Sequence, residues 1–404
     1  MEMKYMITKE AQNYLDALAE ELAISETRYN QAYDRYKSLG KWLNRDGSSI
    51  KIFEPSMYIQ GSFAFETVIK PLTDTEEYDV DMVCELIRLS KNELSQNKLK
   101  QLLGIEIEAY RLANNMQKQL EERRRCWTLN YADGAQFHID IVPALPNGAG
   151  VRLMLEQRSL DATWADTAIA ITDNEVANYT VITDDWPRSN PKGYREWFKS
   201  RMIILLERRK AELAKTAQAN VEDIPDYLVR TPLQSAIMIL KRHRDIMFAD
   251  DETNLCPISI IITTLAGHSY QGEDQIAEAL FSILSKMDRF VLWDGQKYVI
   301  PNPSDPSENF ADKWEEFPER KDAFFQWLAL ARRHFQTVAG QYSRKVITET
   351  LSPHIGQELA KRVGDRSSNS SKGSLLKGAS TASASATPSF GSGPRIPTKP
   401  KGFA

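Results

Sequence analysis

The sequence is short of several things, and each shortage removes a class of protein. Its three cysteines, Cys84, Cys126 and Cys256, are scattered without metal-ligand spacing, so neither a disulfide framework nor a zinc cluster is written into it. Buried free thiols are expected. No apolar run approaches the roughly 20 residues that cross a bilayer. The opening Met1-Glu2-Met3-Lys4 lacks a secretory pattern, so the expectation is a cytoplasmic chain with no membrane association. Basic charge is not in surplus: 51 Lys and Arg stand against 55 Asp and Glu, a formal net charge of −4. Coating long DNA or RNA needs many uncompensated cations, so bulk nucleic-acid binding is not expected. A nucleotide remains acceptable, because a local basic site with bound cations can hold a triphosphate on an acidic protein. The five histidines show no triad or zinc spacing. His138 should share a strand face with Asp140, as a satisfied structural histidine or in an indirect role beside that acid.

What is present is an ordinary globular composition, 42% hydrophobic and 26% charged over 404 residues, enough for two domains and a tail. Residues 8–43 read as one long helix, with Leu15, Leu18, Leu22, Tyr29, Ala32, Tyr36 and Leu39 on one stripe and Thr8 as its N-cap. Short strands follow. Residues 57–59 lead into a Gly61-Ser62 turn and a helical segment over 63–69, and 78–86 alternates as a strand. Residues 92–125 look helical and polar. Strands over 126–131 and 135–142 meet across Asp133-Gly134, with strand-like pieces at 167–172 and 179–183. Beyond Pro191 helices are expected at 194–215, 233–247, 257–268, 273–287 and 310–337. From about Arg366 the chain is Ser, Gly, Ala, Lys, Pro and Thr, with too little to bury to offset the entropy of ordering. The fold class is therefore α+β. The expected division is a sheet-containing core with an N-terminal spine helix over 1–190, a helical lobe over 191–365 and a disordered tail over 366–404.

The chemistry concentrates in Tyr78-Asp79-Val80-Asp81-Met82. Alternate side chains share a face of a strand, so Asp79 and Asp81 point the same way. Two carboxylates that close repel each other unless a divalent cation sits between them. Asp140, in Phe137-His138-Ile139-Asp140-Ile141-Val142, is a lone acid on a second apolar strand. If the strands are neighbours, three carboxylates converge and can hold two Mg2+ or Mn2+ ions. Gly61 lets backbone amides approach a phosphate, and Ser62 adds a hydroxyl donor. A lone Asp-x-Asp is usually a solvated strand end and a lone Gly-Ser is only a turn; together they mark a site.

These residues resemble a family. Gln60-Gly61-Ser62, Asp79-Val80-Asp81 and Asp140 are similar to the polymerase-β-like nucleotidyltransferase superfamily. Within it the chain resembles the bacterial CD-NTases of CBASS anti-phage defence, relatives of cyclic GMP–AMP synthase and oligoadenylate synthase. The resemblance covers about residues 57–314. It extends to Ser189-Asn190-Pro191-Lys192-Gly193-Tyr194, Leu240-Lys241-Arg242-His243-Arg244-Asp245, Pro257-Ile258-Ser259, Asn302-Pro303 and the segment from Glu308 to Trp314. It departs at Gln60, where the superfamily usually has an apolar residue, and in a longer spacer between Phe63 and Tyr78.

The resemblance implies a bilobal enzyme with a polymerase-β-like mixed-sheet core and a C-terminal helical lobe. It implies catalytic and metal-binding Asp79, Asp81 and Asp140, and nucleotide binding by Gln60, Gly61, Ser62, Lys241 and Ser259. The implied substrates are ATP and/or GTP. The implied activity is synthesis of a cyclic di- or trinucleotide with release of pyrophosphate, the product acting on a downstream effector. An E1/E2-like partner conjugating the C-terminal carboxylate of Ala404 is a further implication. Taken by themselves, Lys241, Arg123, Arg124 and Arg125 read as solvated cations, Ser259 as a helix-end residue, and Trp164, Trp186 and Tyr194 as packing. Two other readings stand beside this one: transfer of a nucleotide to an RNA, small-molecule or protein acceptor by the same chemistry, and an inactive nucleotide-sensing scaffold.

Overall fold

The computed structural model of the chain describes residues 6–72, 78–131, 137–217, 220–221 and 229–366. The Asp133-Gly134 turn and the stretch 367–404 with Ala404 lie outside the described residues. The expected single N-terminal helix is two helices. The first, α1 (Lys9–Leu22), begins where the Thr8 side chain accepts from the Ala11 amide; the second, α2 (Glu26–Leu43), begins where Ser25 accepts from that of Arg28. Each such cap contributes about 1 kcal/mol. Between them Ala23 is extended and bridges to Ile69. The break has a packing cause, because the stripe serves two cores. Leu15, Leu18 and Leu22 join the apolar residues of the C-terminal helices. Ala32, Leu39 and Leu43 pack against the sheet. Gly40 lies inside α2.

Seven strands form one mixed sheet: β1 (Pro55–Ile59), β2 (Tyr78–Leu86), β3 (Glu121–Glu122), β4 (Trp127–Asn130), β5 (Phe137–Pro146), β6 (Ile169–Ile171) and β7 (Arg188–Ser189). The order β1-β2-β5-β4-β3 makes β2 and β5 parallel neighbours. The other edge of β5 is shared, its first half pairing with β4 and its end with β6. On β2 the alternation sorts cleanly: Val80, Met82, Cys84 and Leu86 are at most 1% exposed on the back face, while Asp79 and Asp81 look the other way. Helix α3 (Gly61–Ala64) is one turn, shorter than the expected 63–69, since Glu66 takes a left-handed conformation (φ 56°). Helix α4 (Gln96–Ala113) is capped by Ser95 and covers the back face with Leu99, Leu103, Ile107 and Tyr110. Burying each such side chain stabilises by about 2 kcal/mol. At Gly104 it comes so near β4 that an added Cβ would stand 2.5 Å from the Trp127 ring. Helix α5 (Gly148–Gln157) follows β5. The strand expected at 179–183 is turn and bend, held by Asn178, whose side-chain amide donates to the Asp185 carbonyl at 2.7 Å.

The second lobe is helical: α6 (Pro191–Ser200), α7 (Ile203–Ala217), α8 (Pro232–Met247), α9 (Ser259–Ser269), α10 (Ile276–Lys286), α11 (Lys313–Glu316), α12 (Pro318–Ala339), α13 (Arg344–Ile355) and α14 (Gln357–Asp365). Helices α13 and α14 were not expected; Pro353 and Gly356 interrupt their pattern. Helix α8 is the lobe's axis. A reciprocal capping box between Thr231 and Gln234, with Pro232 in the first turn, sets its start, and every residue from 232 to 243 is buried. No helix among the described residues is long and apolar enough to cross a membrane.

Candidate active site

The parallel register of β2 and β5 sets Asp79 opposite His138 and Asp81 opposite Asp140. Since alternate residues share a face, these four side chains form the corners of a small square on the front of the sheet. The antiparallel register of β4 adds Thr128 opposite Asp140 and Asn130 opposite His138. Thr128 Oγ1 donates to Asp140 Oδ1 at 2.5 Å, which fixes one carboxylate oxygen. His138 Nε2 lies 3.4 Å from Asp79 Oδ1. Donor atoms of Asp79, His138 and Asp140 all fall within 4.8 Å of one another.

The electrostatics agree with a cation site. Burial first, and then the charges of Asp79 and Asp140, raise the Asp81 carboxyl to about 7. A divalent ion would relieve that repulsion, so the donor set and its charge fit one. Burial, followed by the nearby Asp140 carboxylate, pushes the Cys126 thiol up to about 12, so this cysteine stands beside the acid as a neutral thiol.

Gly61 closes on the same acids. It sits at φ 64°, in the left-handed region, and an added Cβ would collide with Asp81 Oδ2. The Gln60 amide donates to the Asp81 carbonyl at 2.9 Å, which fastens the turn to β2 beside the acids. A cleft of about 480 Å³ opens here, within the range of roughly 300–1,000 Å³ usual for small-molecule sites. Gly61, Ser62, Asp79 and Asp81 form one wall; Lys241, Arg244, Ser259 and Thr263 form the other. Asp140 is not in the wall and reaches the group from the neighbouring strand.

Lys241 is 5% exposed, unlike the solvated cation its Lys-Arg context suggests. Its Nζ donates to the Thr67 carbonyl at 3.0 Å and to Thr67 Oγ1 at 3.2 Å. Burial, and then the charge of Arg244, lower it to about 7. The same stripe of α8 holds the rest of that segment: Gln234 Nε2 donates to the Phe65 carbonyl at 3.0 Å, and Arg242 donates to those of Lys70 and Pro71. Backbone acceptors that no strand pairs are satisfied by helix side chains instead. Arg244 binds Asp245 and donates to Ser259 Oγ at 2.8 Å, so Ser259 lines the cleft already engaged.

Other candidates lie elsewhere. Arg124 and Arg125 both bind Asp173, each at 2.8 Å, and Arg123 binds Glu121. Tyr194 is buried with its hydroxyl on Thr264 Oγ1, Trp186 is buried, and Trp164 packs against the helical core. The motif-like segments at Asn190 and Asn302 meet each other: Ser304 Oγ donates to the Asn190 carbonyl, and Asn190 Nδ2 to those of Trp164 and Ser304. They brace the lobes, while Asn302 Nδ2 holds Glu308 at 2.6 Å. Thr128 and Asn130 escaped the sequence reading, and Arg244 and Asp245 entered it only within a family-like segment, with no site role. The signal for the first two was their alternation with apolar Trp127 and Leu129.

Three carboxylates and a histidine on a mixed sheet, closed by a glycine turn and faced by a helical lobe, define a nucleotidyltransferase. Residues 55–143 match the family model described as cyclic GMP-AMP synthase DncV-like, nucleotidyltransferase domain. The chain is 32% identical over 335 residues to a c-di-GMP synthase of Roseivirga ehrenbergii, covering 80% of this chain and 79% of that protein. It is 26% identical over 370 residues to the cyclic dinucleotide synthase CdnG of Bradyrhizobium diazoefficiens, 87% of this chain and 81% of that one. A solved structure of that organism's CD-NTase CdnG in complex with GTP shares the fold, with a TM-score of 0.64 at 22% identity over 87% of this chain and 98% of that chain. The chain belongs to the DncV-like nucleotidyltransferases, the bacterial CD-NTases.

Proposed function

We propose that this CD-NTase joins two nucleoside triphosphates, at least one of them GTP, into a cyclic dinucleotide with release of pyrophosphate. The observation that carries the reading is the convergence of Asp79, Asp81 and Asp140 beside a triphosphate-sized cleft. The name of the c-di-GMP synthase relative supports the choice of guanine, and that of the second relative supports a cyclic dinucleotide. Asp79, Asp81 and Asp140 would hold divalent ions, Mg2+ or Mn2+. Such ions supply positive charge to the attacking oxygen and the leaving group. The Gly61 and Ser62 amides and the Ser62 hydroxyl face the triphosphate, and Lys241 regains its charge when that anion arrives. Arg244, already carrying Ser259, lines the far wall for the same phosphates. A ribose hydroxyl then attacks the α-phosphorus, its proton leaves, and the bond to the β-phosphate oxygen breaks. Repetition on the linear intermediate closes the ring. In this reading the sheet-bearing part up to about residue 190 carries the chemistry and 191–365 grips the nucleotides, with α1 crossing into the second lobe. The cyclic product would serve CBASS defence through a downstream effector.

Incubating the full chain with each of the four NTPs, singly and in pairs, with Mg2+ or Mn2+, tests this by mass spectrometry of the products. A cyclic dinucleotide from GTP alone or from a GTP pair is expected. Pyrophosphate release only when an RNA, protein or small-molecule acceptor is added would favour acceptor transfer instead.

A further inference from the structure

The square on the sheet has a fourth corner that is not a carboxylate. We infer that His138 Nε2 is itself a metal ligand, beside Asp79 and Asp140, and that it tilts the site towards Mn2+ over Mg2+. The inference rests on the nucleotidyltransferase reading and deepens it.

Geometry is the first argument. Two donors bound to one ion at about 2.1 Å stand roughly 3.0 Å apart in octahedral and 3.4 Å apart in tetrahedral coordination. His138 Nε2 and Asp79 Oδ1 are 3.4 Å apart. A direct imidazolium–carboxylate bond would close to about 2.7–2.9 Å. The observed spacing is about 0.4 Å wider than the octahedral value and well beyond a direct bond, so binding an octahedral ion needs only a small closure of the two side chains. The parallel register gives this placement a rigid cause, because His138 is held opposite Asp79 by strand pairing and not by a loop. Thr128 fixes the Asp140 carboxylate through Oδ1, and a donor atom of Asp140 lies within 4.8 Å of those of Asp79 and His138.

Chemistry supplies the second argument. Mg2+ is a hard ion that takes oxygen donors, whereas imidazole nitrogen favours transition metals. Carboxylates alone suit Mg2+ and Mn2+ alike; of these two ions Mn2+ tolerates a nitrogen donor better, so His138 shifts the balance towards it.

The test is Mn2+ binding to the full chain with a non-hydrolysable GTP analogue, read by pulsed electron paramagnetic resonance. Wild type should show the coupling of a directly bound ¹⁴N. His138→Gln should lose it and bind Mn2+ about tenfold more weakly, with a smaller change in competing Mg2+. Bound Mn2+ without nitrogen coupling in wild type would overturn the inference and leave the three-carboxylate reading intact, even if the variant failed to fold. Coupling that persists in His138→Gln would overturn it too, placing the nitrogen elsewhere; His243, His334 and His354 lie together, His243 Nε2 and His334 Nδ1 being 3.0 Å apart. Asp79→Asn with Asp81→Asn is the control. No bound Mn2+ in wild type, with nucleotide present, would remove the metal site and the inference together.

Discussion

Strand β2 and helix α8 face each other across one cleft, and they handle charge in opposite ways. The strand keeps its back face apolar and closed, with Val80, Met82 and Cys84 fully buried, and turns its acids outward. Its carboxylates are left in mutual repulsion. The helix is buried on all sides from 232 to 243, and its cations are satisfied by the carbonyls of the 65–71 segment. One element stores electrostatic strain at the site; the other spends its charges on architecture until a ligand arrives. Removing charge from the strand should therefore abolish chemistry without harming the fold, while removing it from the helix should weaken both.

The largest effect is expected for Asp79→Asn combined with Asp81→Asn, on the order of a 10³-fold or greater loss of cyclic product. Melting in the absence of metal should stay level or rise, because two repelling carboxylates are gone. A variant that retains full synthesis by product mass spectrometry would break the comparison on the strand side.

On the helix side, Lys241→Met should lower kcat/KM for the nucleotide by about 100-fold, mainly through KM, and should lower the melting temperature as the Thr67 carbonyl loses its donor. The lysine also gives a pH signature. Its folded value, about 7, lies below its ordinary 10.5. Between those values the folded state binds fewer protons than the unfolded state, so this residue makes stability rise with pH across that window and lose as pH falls towards 7. Nucleotide binding above pH 7 should take up a proton at Lys241. Calorimetry in buffers of different ionisation enthalpy measures that uptake, and its absence in Lys241→Met sharpens the assignment.

Gly61→Ala tests how closely the strand's acids depend on the turn. The left-handed backbone and the collision with Asp81 Oδ2 should cost about 1–2 kcal/mol of stability and roughly 10- to 100-fold in turnover. Urea unfolding and steady-state rates separate the two.

The smallest functional effect is expected at Asp173, which follows β6 and whose amide donates to Gln96 on α4. Burial alone would raise its carboxyl, but hydrogen bonds from Arg124, Arg125 and the Glu175 amide hold it down at about 2. A depressed folded value adds stability that is present above pH 4 and lost as pH falls through 2. With both guanidinium groups about half exposed, that contribution is discounted to roughly 1–2 kcal/mol. Asp173→Asn should lower stability by this amount near neutral pH, converge with wild type near pH 2, and leave turnover within about twofold.

Much of the sheet core was legible because a strand's period is local. The span of β2 and the shared face of Asp79 and Asp81 follow from alternation alone. Caps were legible where the hydroxyl precedes its helix, as at Thr8; Ser25 carried the same signal inside a continuous stripe and was passed over. The burial of Lys241 was not legible, since Lys-Arg-His-Arg reads as a solvated face. Nor were Ser259's engagement by Arg244 and the role of Thr128. Each depends on a partner brought from another element.

The sequence by itself determined the faces of the strands, the helix starts marked by capping residues, and the residue types able to hold cations and phosphate. All of these are set by backbone periods and by neighbours a few residues away. Only the tertiary structure decided that β5 lies parallel beside β2 in the register that opposes Asp81 to Asp140 and His138 to Asp79. A slip of one residue would have turned Asp140 to the back. It also decided that the N-terminal stripe divides between two cores, and that Lys241 reaches Thr67 across 174 residues of chain. The physical reason is the same in each case: register and burial arise from contacts between distant segments, whose energies no local pattern contains.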